Sequence, residues 1–483
     1  MEQIRSKNDI LALLSNRTAA DRDIVARAYD FGEQAHMGQK RYSGDPYFVH
    51  VSSVGYTLAE LEMDAHTIAA GLLHDTIEDA RVSAEEIERI FGKDVRFLVE
   101  GVTKLGKLKY RGLDRHIESL RKLFIATSKD IRVIIIKLAD RLHNVSTLKY
   151  VPEEKRRRIA LETLQIYAPI ANRLSMGRIK SLLEDFAFPF AYPEEYKKVH
   201  DLLRDRNRET ENRLEKVYRN VQVELAKAGI KGVRGQFRVK RLYSLYKKLQ
   251  KYDWDMARIY DIMAIRVIVP TIDDCYRALG IIHSVYRPLP GRIKDYIAFP
   301  KPNGYRSLHT TIFSGDGNII EIQLRTPEMD REATYGVAAH FMYKEGVTRK
   351  VGEKLEQKFE WMNQLTELHR QLRSNDEYLE HLKMDFFEDR VFVFTPKGEV
   401  IDLPQAATPI DFAYAIHTDI GEHCAGAKVN GRFLSLDTPL QNGDIVEIDV
   451  KKSARPSEKW LEYAKTAFAR KHIRAYLQKS RKQ

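Results

Sequence analysis

His74 and Asp75 stand side by side in GLLHDTIEDA, with Glu78 and Asp79 close behind. On a helix, Glu78 comes four residues after His74 and three after Asp75, so these side chains share one face; Asp79 is four from Asp75. So many ionisable groups beside Leu72, Leu73 and Ile77 are costly to bury unless a cation or a partner neutralises them. A second helical pattern, IIIKLADRLHNVSTL, offers Asp140, Asn144 and Thr147 at helical spacing, and SGDPYFVH offers the imidazole of His50. Taken singly each is weak, since a lone core histidine is more often hydrogen-bonded than a ligand. Two histidines and two aspartates from three segments form a nitrogen and oxygen ligand set without thiolate, suited to Mn, Fe or Zn. Carboxylates left over beside such an ion would orient or deprotonate a water for hydrolysis.

A second constellation suits phosphoryl transfer. No Walker pattern and no GxGxxG occurs, so those two modes of nucleotide binding lack their sequence signal. Moving a pyrophosphoryl group still needs cations on the polyphosphate and a metal held by carboxylates. FRVKRLYSLYKKLQ places Arg238, Lys240, Arg241, Lys247 and Lys248 around a helix start, with Ser244 among them. Asp261 opens one strand pattern and Glu321 sits on the polar face of another. If those strands are neighbours, the two carboxylates can share Mg2+ and one can take a proton from an attacking hydroxyl. A solvated basic helix beside an exposed sheet edge is the plain alternative. The segment PGRIKDYIAFPKPNGYRSLHTT weighs against it, being dense in Lys, Arg, Asn, Tyr and His and leading into the Glu321 strand. An aromatic among donors on a loop is how a base is stacked and its edge read.

These residues need three kinds of scaffold. The 483 residues predict about three domains at roughly 100–200 residues each. With 31% charged and 43% hydrophobic residues, the chain is neither disordered nor membrane-spanning in composition. No apolar run approaches the roughly 20 residues of a bilayer helix, and MEQIRSKND lacks the apolar stretch of a signal peptide. The only cysteines, Cys275 and Cys424, exclude a disulfide framework and a Cys-based zinc site, and a reducing cytoplasm is the expected location. Residues up to about 200 carry the helical apolar period, and a long charged helical stretch closes at Gly229. DIMAIRVIV (261–269) and IIEIQLRT (319–326) read as strands around a helical DDCYRALGIIHSVY, an α/β texture. KLEQKFEWMNQLTELHRQL reads as a helical linker. From 388 to 449, hairpin turns at Lys397-Gly398 and Asn430-Gly431 and one helix over IDFAYAIHTDIG predict four strands and a helix. From Lys451 to Gln483, eleven Lys or Arg face two acids, a solvated basic helix or a contact for nucleic-acid phosphates, RNA for preference.

The spacing H…HD…D, with LHDTIED and KLADRLHN, resembles the HD hydrolase domain of the RelA/SpoT homologues, the bifunctional Rel enzymes that make and degrade the alarmone (p)ppGpp. The resemblance implies that His50, His74, Asp75 and Asp140 hold Mn2+, and that Glu78 and Asp79 activate the water that removes the 3′-pyrophosphate. Arg41, Ser43, Asn144 and Thr147 would grip the nucleotide. Tyr42 in RYSGDPY departs from the family, which usually has a second basic residue there. The PGRIKDYIAFPKPNGYRSLHTT run is very similar to the family's synthetase domain. That implies Tyr305 stacking on guanine of GDP or GTP, with Lys294, Lys301, Asn303, His309 and Gln323 nearby. Asp261 and Glu321 would bind Mg2+, Glu321 also serving as base for the 3′-hydroxyl, and Arg238, Lys240, Ser244 and Lys248 would hold ATP. Arg292-Ile-Lys294-Asp295 matches the basic RxKD form that the family associates with bifunctional members. Opposed reactions in one chain would waste ATP if simultaneous, so a reciprocal switch is expected.

The segment from DRVFVF to DIVEI resembles a TGS domain, a β-grasp module that in the family reads the CCA end of uncharged tRNA at the ribosome, with His417 at the matching position. The expected fold is therefore multidomain. An all-α HD-type hydrolase domain covers 1–200 and an α/β nucleotidyltransferase-like synthetase domain with a mixed sheet covers 201–345. A helical linker (346–387), an α+β β-grasp TGS domain (388–450) and a basic start of a helical region (451–483) follow. That last stretch is expected to be the cut edge of a longer protein, with ribosome-dependent regulation impaired. The expected substrates are ATP, GDP or GTP and (p)ppGpp, with ribosome and tRNA as partners and no membrane. Two rival readings are an HD-type nucleotide phosphohydrolase with an inactive, regulatory second domain, and a tRNA- or ribosome-binding factor without catalysis.

Overall fold

The structure, a computed structural model, describes residues 4–103, 125–127, 129–204, 207–259, 262–301, 303–315, 318–343, 390–441 and 443–480. Residues up to 343 fall in one compact unit and those from 390 in another. The helical linker expected over 346–387, the carboxylate of Asp261 and the side chain of Arg238 lie outside what is described. No helix among the described residues is long and apolar enough to cross a membrane.

The first unit begins as a helical bundle. Its principal helices are α1 (Ala19–Ala35), α2 (Phe48–Glu60), α3 (Ala65–Leu73), α4 (Thr76–Asp79), α5 (Lys93–Thr103) and α6 (Arg132–Ser146). Every residue of α3 except His66 is buried, so α3 is the inner rod of the bundle. The Asp64 carboxylate caps it, accepting from Thr67 N at 3.0 Å. A Cβ on Gly71 would lie 2.2 Å from Leu58 Cδ1, and one on Gly55 would lie 2.5 Å from Leu72 Cδ2. Where helices α2 and α3 cross, glycine at both contacts leaves the room that the Leu58 and Leu72 side chains fill. Val133, Ile134, Ile135, Ile136, Leu138 and Ala139 of α6 are all buried, each such side chain larger than alanine contributing roughly 1.5–3 kcal/mol.

The single helix expected over GLLHDTIEDA is two helices, broken at His74-Asp75. Side chains occupy the carbonyls around the break. His74 Nδ1 bonds Gly71 O at 2.8 Å, Thr76 Oγ1 bonds Leu73 O at 2.7 Å, and Thr103 Oγ1, on α5, bonds His74 O at 3.1 Å. Helical continuation needs these acceptors for backbone N–H groups, and here side-chain donors compete for them.

Helices α7 (Gly177–Ala191) and α8 (Asn207–Lys227) lead to a sheet built from β1 (Arg234–Val239), then α9 (Leu242–Lys251), β2 (Met263–Ile268), α10 (Ile272–Val285), β3 (Lys294–Asp295), β4 (Leu308–Phe313) and β5 (Ile319–Arg325), with α11 (Pro327–Tyr335) after it. The strand order is β1-β2-β5-β4-β3; β2 and β5 run parallel and the other pairs antiparallel. One face, with Ile265, Val267, Leu308, Ile320, Ile322 and Leu324, packs on Val217, Val221 and Leu225 of α8 and on Cys275, Ala278 and Ile282 of α10. The other face carries Glu321, Gln323 and Arg325, as the alternation predicts. It is nonetheless covered: Gln323 is 6% and Arg325 1% exposed.

Among its described residues the second unit has five strands and four helices: β6 (Arg390–Phe394), β7 (Val400–Pro404), α12 (Pro409–Ile416), α13 (Thr418–Glu422), β8 (Cys424–Val429), β9 (Arg432–Leu434), β10 (Val446–Val450), α14 (Trp460–Tyr463) and α15 (Ala467–Ser480). The hairpin turns sit where expected, with Gly398, Asn430 and Gly431 all at positive φ. The one helix expected before β8 is two, because His417 takes extended backbone and its Nδ1 accepts from Asp419 N at 3.2 Å, capping α13. The basic C-terminal stretch is not wholly solvated. Trp460, Ala464, Ala469 and Ile473 pack on Ile410, Ala413, Tyr414 and Cys424. Buried Asp411 accepts from Thr408 N, Lys465 N, Thr466 N and Thr466 Oγ1 at 2.7–3.0 Å, tying the tail to α12.

Candidate active sites

The glycine crossing of α2 and α3 and the buried course of α6 converge His50, His74, Asp75 and Asp140. His50 Nε2 is 3.5 Å from Asp75 Oδ2 and 3.3 Å from Asp140 Oδ1; His74 Nε2 is 3.1 Å from Asp75 Oδ2 and 3.9 Å from Asp140 Oδ1. Ligand atoms of His50, His74 and Asp140 lie within 4.8 Å of one another, which suits one ion. His74 Nε2 is buried and makes no hydrogen bond of good geometry, while its Nδ1 faces a carbonyl. A carbonyl only accepts, so Nδ1 carries a hydrogen, and in the neutral ring the Nε2 lone pair faces the two carboxylates, as a ligand's must. Without a metal, burial disfavours charge on His74, yet Asp75 and Asp140 outweigh it and push it up to about 9. Burial likewise opposes the carboxylates. His74 and His50 hold Asp75 well below the usual range, and Lys137 with the same two histidines does so for Asp140. The donor set fits a divalent cation, which would replace the imidazolium charge that now offsets the acids.

Around these four, the sequence reading missed three residues. Lys137 Nζ lies 2.6 Å from Asp140 Oδ2, leaving Asp140 Oδ1 toward the histidines. Tyr47 OH lies 2.8 Å from Asp75 Oδ2 and 2.9 Å from Asp79 Oδ2, bridging a ligand to the following turn. His143 Nδ1 lies 3.0 Å from His50 Nδ1. For Lys137 and His143 the available signal was spacing, since they sit three residues before and after Asp140 on one helix. Glu78 and Asp79 are exposed on α4, and Gln39 Nε2 holds Asp79 O at 2.8 Å. Arg41, Asn144 and Thr147 come together: Arg41 Nη2 is 2.9 Å from Asn144 Oδ1 and 3.3 Å from Thr147 Oγ1. Ser43 shapes the turn, its Oγ accepting from Asp45 N at 3.4 Å. Tyr42 is 66% exposed, and Lys155 Nζ reaches its hydroxyl at 3.3 Å, bringing a cation to that corner from another helix.

On the sheet, the register aligns Lys294, His309, Gln323, Arg266 and Gln236 in one row across the five strands, with Glu321 two residues from Gln323. Arg325 Nη2 donates to Tyr305 OH at 2.5 Å and to Gln323 Oε1 at 3.1 Å. A guanidinium has no acceptor. The Tyr305 hydroxyl therefore gives its own hydrogen to His309 Nε2 at 2.9 Å, and His309 Nδ1–H faces Glu321 Oε1 at 3.1 Å. Gln323 Nε2 donates to the same Glu321 oxygen at 2.7 Å. Burial keeps the His309 imidazole below its usual pKa despite Glu321 beside it, consistent with a neutral ring. Arg325 itself is held by Asp330 at 3.2 Å. Nothing in the strand alternation marked it as more than a polar-face residue.

The other expected residues are placed less uniformly. Lys301 Nζ lies 5.1 Å from the Tyr305 ring centroid and 4.7 Å from that of Tyr296. Asn303 faces the turn just before α7: its Nδ2 donates to Asn172 O at 2.9 Å and its carbonyl accepts from Ser175 Oγ. Lys294 is exposed at the sheet edge, and Asp295 accepts from Ile297 N, Ala298 N and Tyr276 OH, shaping the loop. Ser244 Oγ is 3.4 Å from buried Glu184, and Arg241 pairs with Asp185 at 2.5 Å, so these two point to α7. Lys240 and Lys248 are half-buried, and His417 is exposed in the second unit.

Residues 28–177 match the HD domain family, 237–348 the region found in RelA and SpoT proteins, and 391–449 the TGS domain. A guanosine-3′,5′-bis(diphosphate) 3′-pyrophosphohydrolase of Aquifex aeolicus is 45% identical over 482 residues, covering 100% of this chain and 68% of that protein. The chain belongs to the RelA/SpoT family. Within it, the Myxococcus xanthus GTP pyrophosphokinase is 46% identical over 96% of this chain and 61% of its own length. The Escherichia coli bifunctional (p)ppGpp synthase/hydrolase SpoT is 45% identical over 94% of this chain and 64% of its own length. The chain thus spans roughly two thirds of the length of these relatives. The family membership makes the helical bundle an HD domain, the mixed sheet a synthetase-type domain and the second unit's β-grasp fold a TGS domain.

Proposed function

We propose that this chain is the catalytic part of a bifunctional alarmone enzyme. One site transfers pyrophosphate from ATP to the 3′-hydroxyl of GDP or GTP, giving (p)ppGpp and AMP; the other hydrolyses that 3′-pyrophosphate, returning GDP or GTP and pyrophosphate. The supporting observation is that His50, His74, Asp75 and Asp140 converge in the same unit that holds a separate acid, Glu321, by directed hydrogen bonds.

In the hydrolase, His50, His74, Asp75 and Asp140 would hold Mn2+. When bound, the ion would supply positive charge for the scissile phosphate and lower the pKa of water. Glu78 and Asp79, on the turn just past the ligands, orient the attacking water and take its proton as pyrophosphate departs. Tyr47 and Gln39 keep that turn in place. Arg41, Ser43, Asn144 and Thr147 hold the nucleotide, with the Arg41 charge available to phosphate.

In the synthetase, Asp261 and Glu321 would hold Mg2+, which neutralises the triphosphate. Glu321 takes the proton of the 3′-hydroxyl, whose oxygen bonds to the β-phosphorus of ATP while AMP leaves with the bridging oxygen. Arg238, Lys240, Ser244 and Lys248 hold ATP. Tyr305 stacks on guanine, with Lys294, Lys301, Asn303, His309 and Gln323 beside it. The two activities alternate, since together they would waste ATP, and Asn303, which ties this loop to the Asn172–Ser175 turn, is a contact available to link them. In the TGS domain, exposed His417 contacts the end of uncharged tRNA on the ribosome.

Both reactions are assayed on one preparation. ATP, GDP and Mg2+ should yield AMP and ppGpp, and ppGpp with Mn2+ should yield GDP and pyrophosphate in an EDTA-sensitive way. Glu321→Gln should abolish only the first and Asp75→Ala only the second. Hydrolysis without any AMP formation by wild-type protein would favour a phosphohydrolase with an inactive second domain. Neither reaction would leave a binding factor.

A further inference from the structure

We propose that Arg41 and His143 are positioning residues of the metal centre, fixing the ring state of His50 and the orientation of Asp140 before any nucleotide arrives. The inference rests on the reading that the His50, His74, Asp75, Asp140 cluster binds a divalent ion, and concerns how its ligands are held.

Arg41 lies on a short hairpin closed by Arg41 N bonding Asp45 O at 2.9 Å and Tyr47 N bonding Gln39 O at 2.9 Å. From there its guanidinium meets three side chains of α6: His143, Asn144 and Thr147. Arg41 Nη1 is 2.8 Å from His143 Nδ1. Because the guanidinium can only donate, His143 Nδ1 presents its lone pair. His50 Nδ1 lies 3.0 Å from that same nitrogen, and two lone pairs there would repel. His50 Nδ1 must therefore carry a hydrogen, so the neutral ring has its Nε2 lone pair on the side of Asp75 and Asp140, the state a metal ligand requires.

A second path starts at the same guanidinium. Arg41 Nη2 donates to Asn144 Oδ1 at 2.9 Å, which fixes the amide so that Asn144 Nδ2 faces Asp140 Oδ1 at 2.5 Å. One cation thus sets two ligands, one on α2 and one on α6, through side chains that touch no ion themselves. His74 offers the contrast. Its ring state is set by the Gly71 carbonyl, which no substitution removes, whereas that of His50 is set by side chains and can be changed.

Two consequences separate this from a role for Arg41 in gripping nucleotide alone. Ion affinity in nucleotide-free protein should depend on Arg41, and it should depend on an acceptor atom at the His143 Nδ1 position rather than on the ring. The whole chain is stripped with EDTA, and Mn2+ binding is followed by the electron paramagnetic resonance of free Mn2+, without nucleotide. Asp140→Asn defines the binding component that belongs to this site. On that component His143→Leu should weaken Mn2+ by about 10–100-fold, the range for lost outer-shell partners. His143→Asn, whose Oδ1 supplies an acceptor where Nδ1 stood, should return it to within about threefold of wild type, and Arg41→Met should weaken it about tenfold. AMP formation from ATP and GDP by the same preparations reports that the unit is folded. Wild-type affinity in His143→Leu, or equal loss in His143→Leu and His143→Asn, overturns the inference. If His143→Leu does not fold, Arg41→Met decides: unchanged Mn2+ affinity overturns it. Absence of an Asp140-dependent component in wild-type protein instead defeats the metal-site reading on which it rests.

Discussion

Replacing Arg325 with methionine tests whether Glu321 is held by hydrogen bonds of imposed direction. In the wild type, Arg325 donates to Tyr305 OH and to Gln323 Oε1, so both His309 and Gln323 turn N–H groups to Glu321 Oε1. Methionine fills much of the same volume but donates nothing. The Gln323 amide can then flip and the His309 ring can adopt its other neutral form, each placing an acceptor against the carboxylate. Hydrogen bonds to charged groups are worth about 1.5–3 kcal/mol, so losing the two at Glu321 for part of the time should lower synthetase kcat by about 10–1,000-fold. The cost in stability is bounded by the ion pair. Breaking a buried pair costs about 3–5 kcal/mol, but Asp330 keeps Arg266 at 3.1 Å, so the lower end, about 3 kcal/mol, is expected. The assay is AMP release from ATP and GDP, with Mn2+-dependent ppGpp hydrolysis on the same preparation and urea unfolding alongside. Synthesis within about threefold of wild type in a folded Arg325→Met protein would refute the reasoning, because Glu321 would then need neither relay.

Two further perturbations lie away from both sites. Arg132 is only 16% exposed and pairs with Asp64, Asp94 and Asp130 at 2.7–3.4 Å; burial would raise the Asp94 carboxyl, but its hydrogen bonds and charge attraction from Arg132 outweigh that and hold it below the ordinary value. A folded pKa below the unfolded one stabilises above the unfolded value, near 4, and is lost as pH falls through the folded value, so the gap in urea midpoint between wild type and Arg132→Met should narrow from pH 6 to about pH 3; a gap that widens on acidification would contradict this. Asp411→Ala should leave the buried N–H of Thr408 and the half-buried N–H groups of Lys465 and Thr466 without their carboxylate, costing about 3 kcal/mol in the second unit and opening α14 and α15 to proteolysis while AMP release persists; resistance equal to wild type would show that the tail is held otherwise.

Much of the chemistry was legible because residue type and local spacing carry it. Histidines and aspartates at helical spacing in apolar segments announce a compensated site whatever the fold around them, and PKPNGY before an alternating strand announces a base-binding loop. The alternation of Ile320, Ile322 and Leu324 with Glu321, Gln323 and Arg325 held in the sheet because side chains on a strand must point to opposite faces. The turns at Gly398 and at Asn430-Gly431 were equally local, being matters of positive φ.

What escaped the sequence depended on atoms far apart along the chain. The break between α3 and α4 involves Thr103, 29 residues beyond the His74 carbonyl it bonds, and no window around His74 contains it. Arg41 meets His143 across 102 positions and Arg331 meets Glu62 across 269, so which donor faces which acceptor is decided only when helices pack. The tail is basic by composition, yet Asp411 and the apolar side of α15 pack it onto α12 of the TGS domain. Sequence alone determined which groups are present and which face of each element they occupy, because propensity and periodicity act over a few residues. Tertiary packing decided the direction of the hydrogen bonds at Asp140 and Glu321, because a proton's position on a histidine or an amide is set by the neighbour it must satisfy.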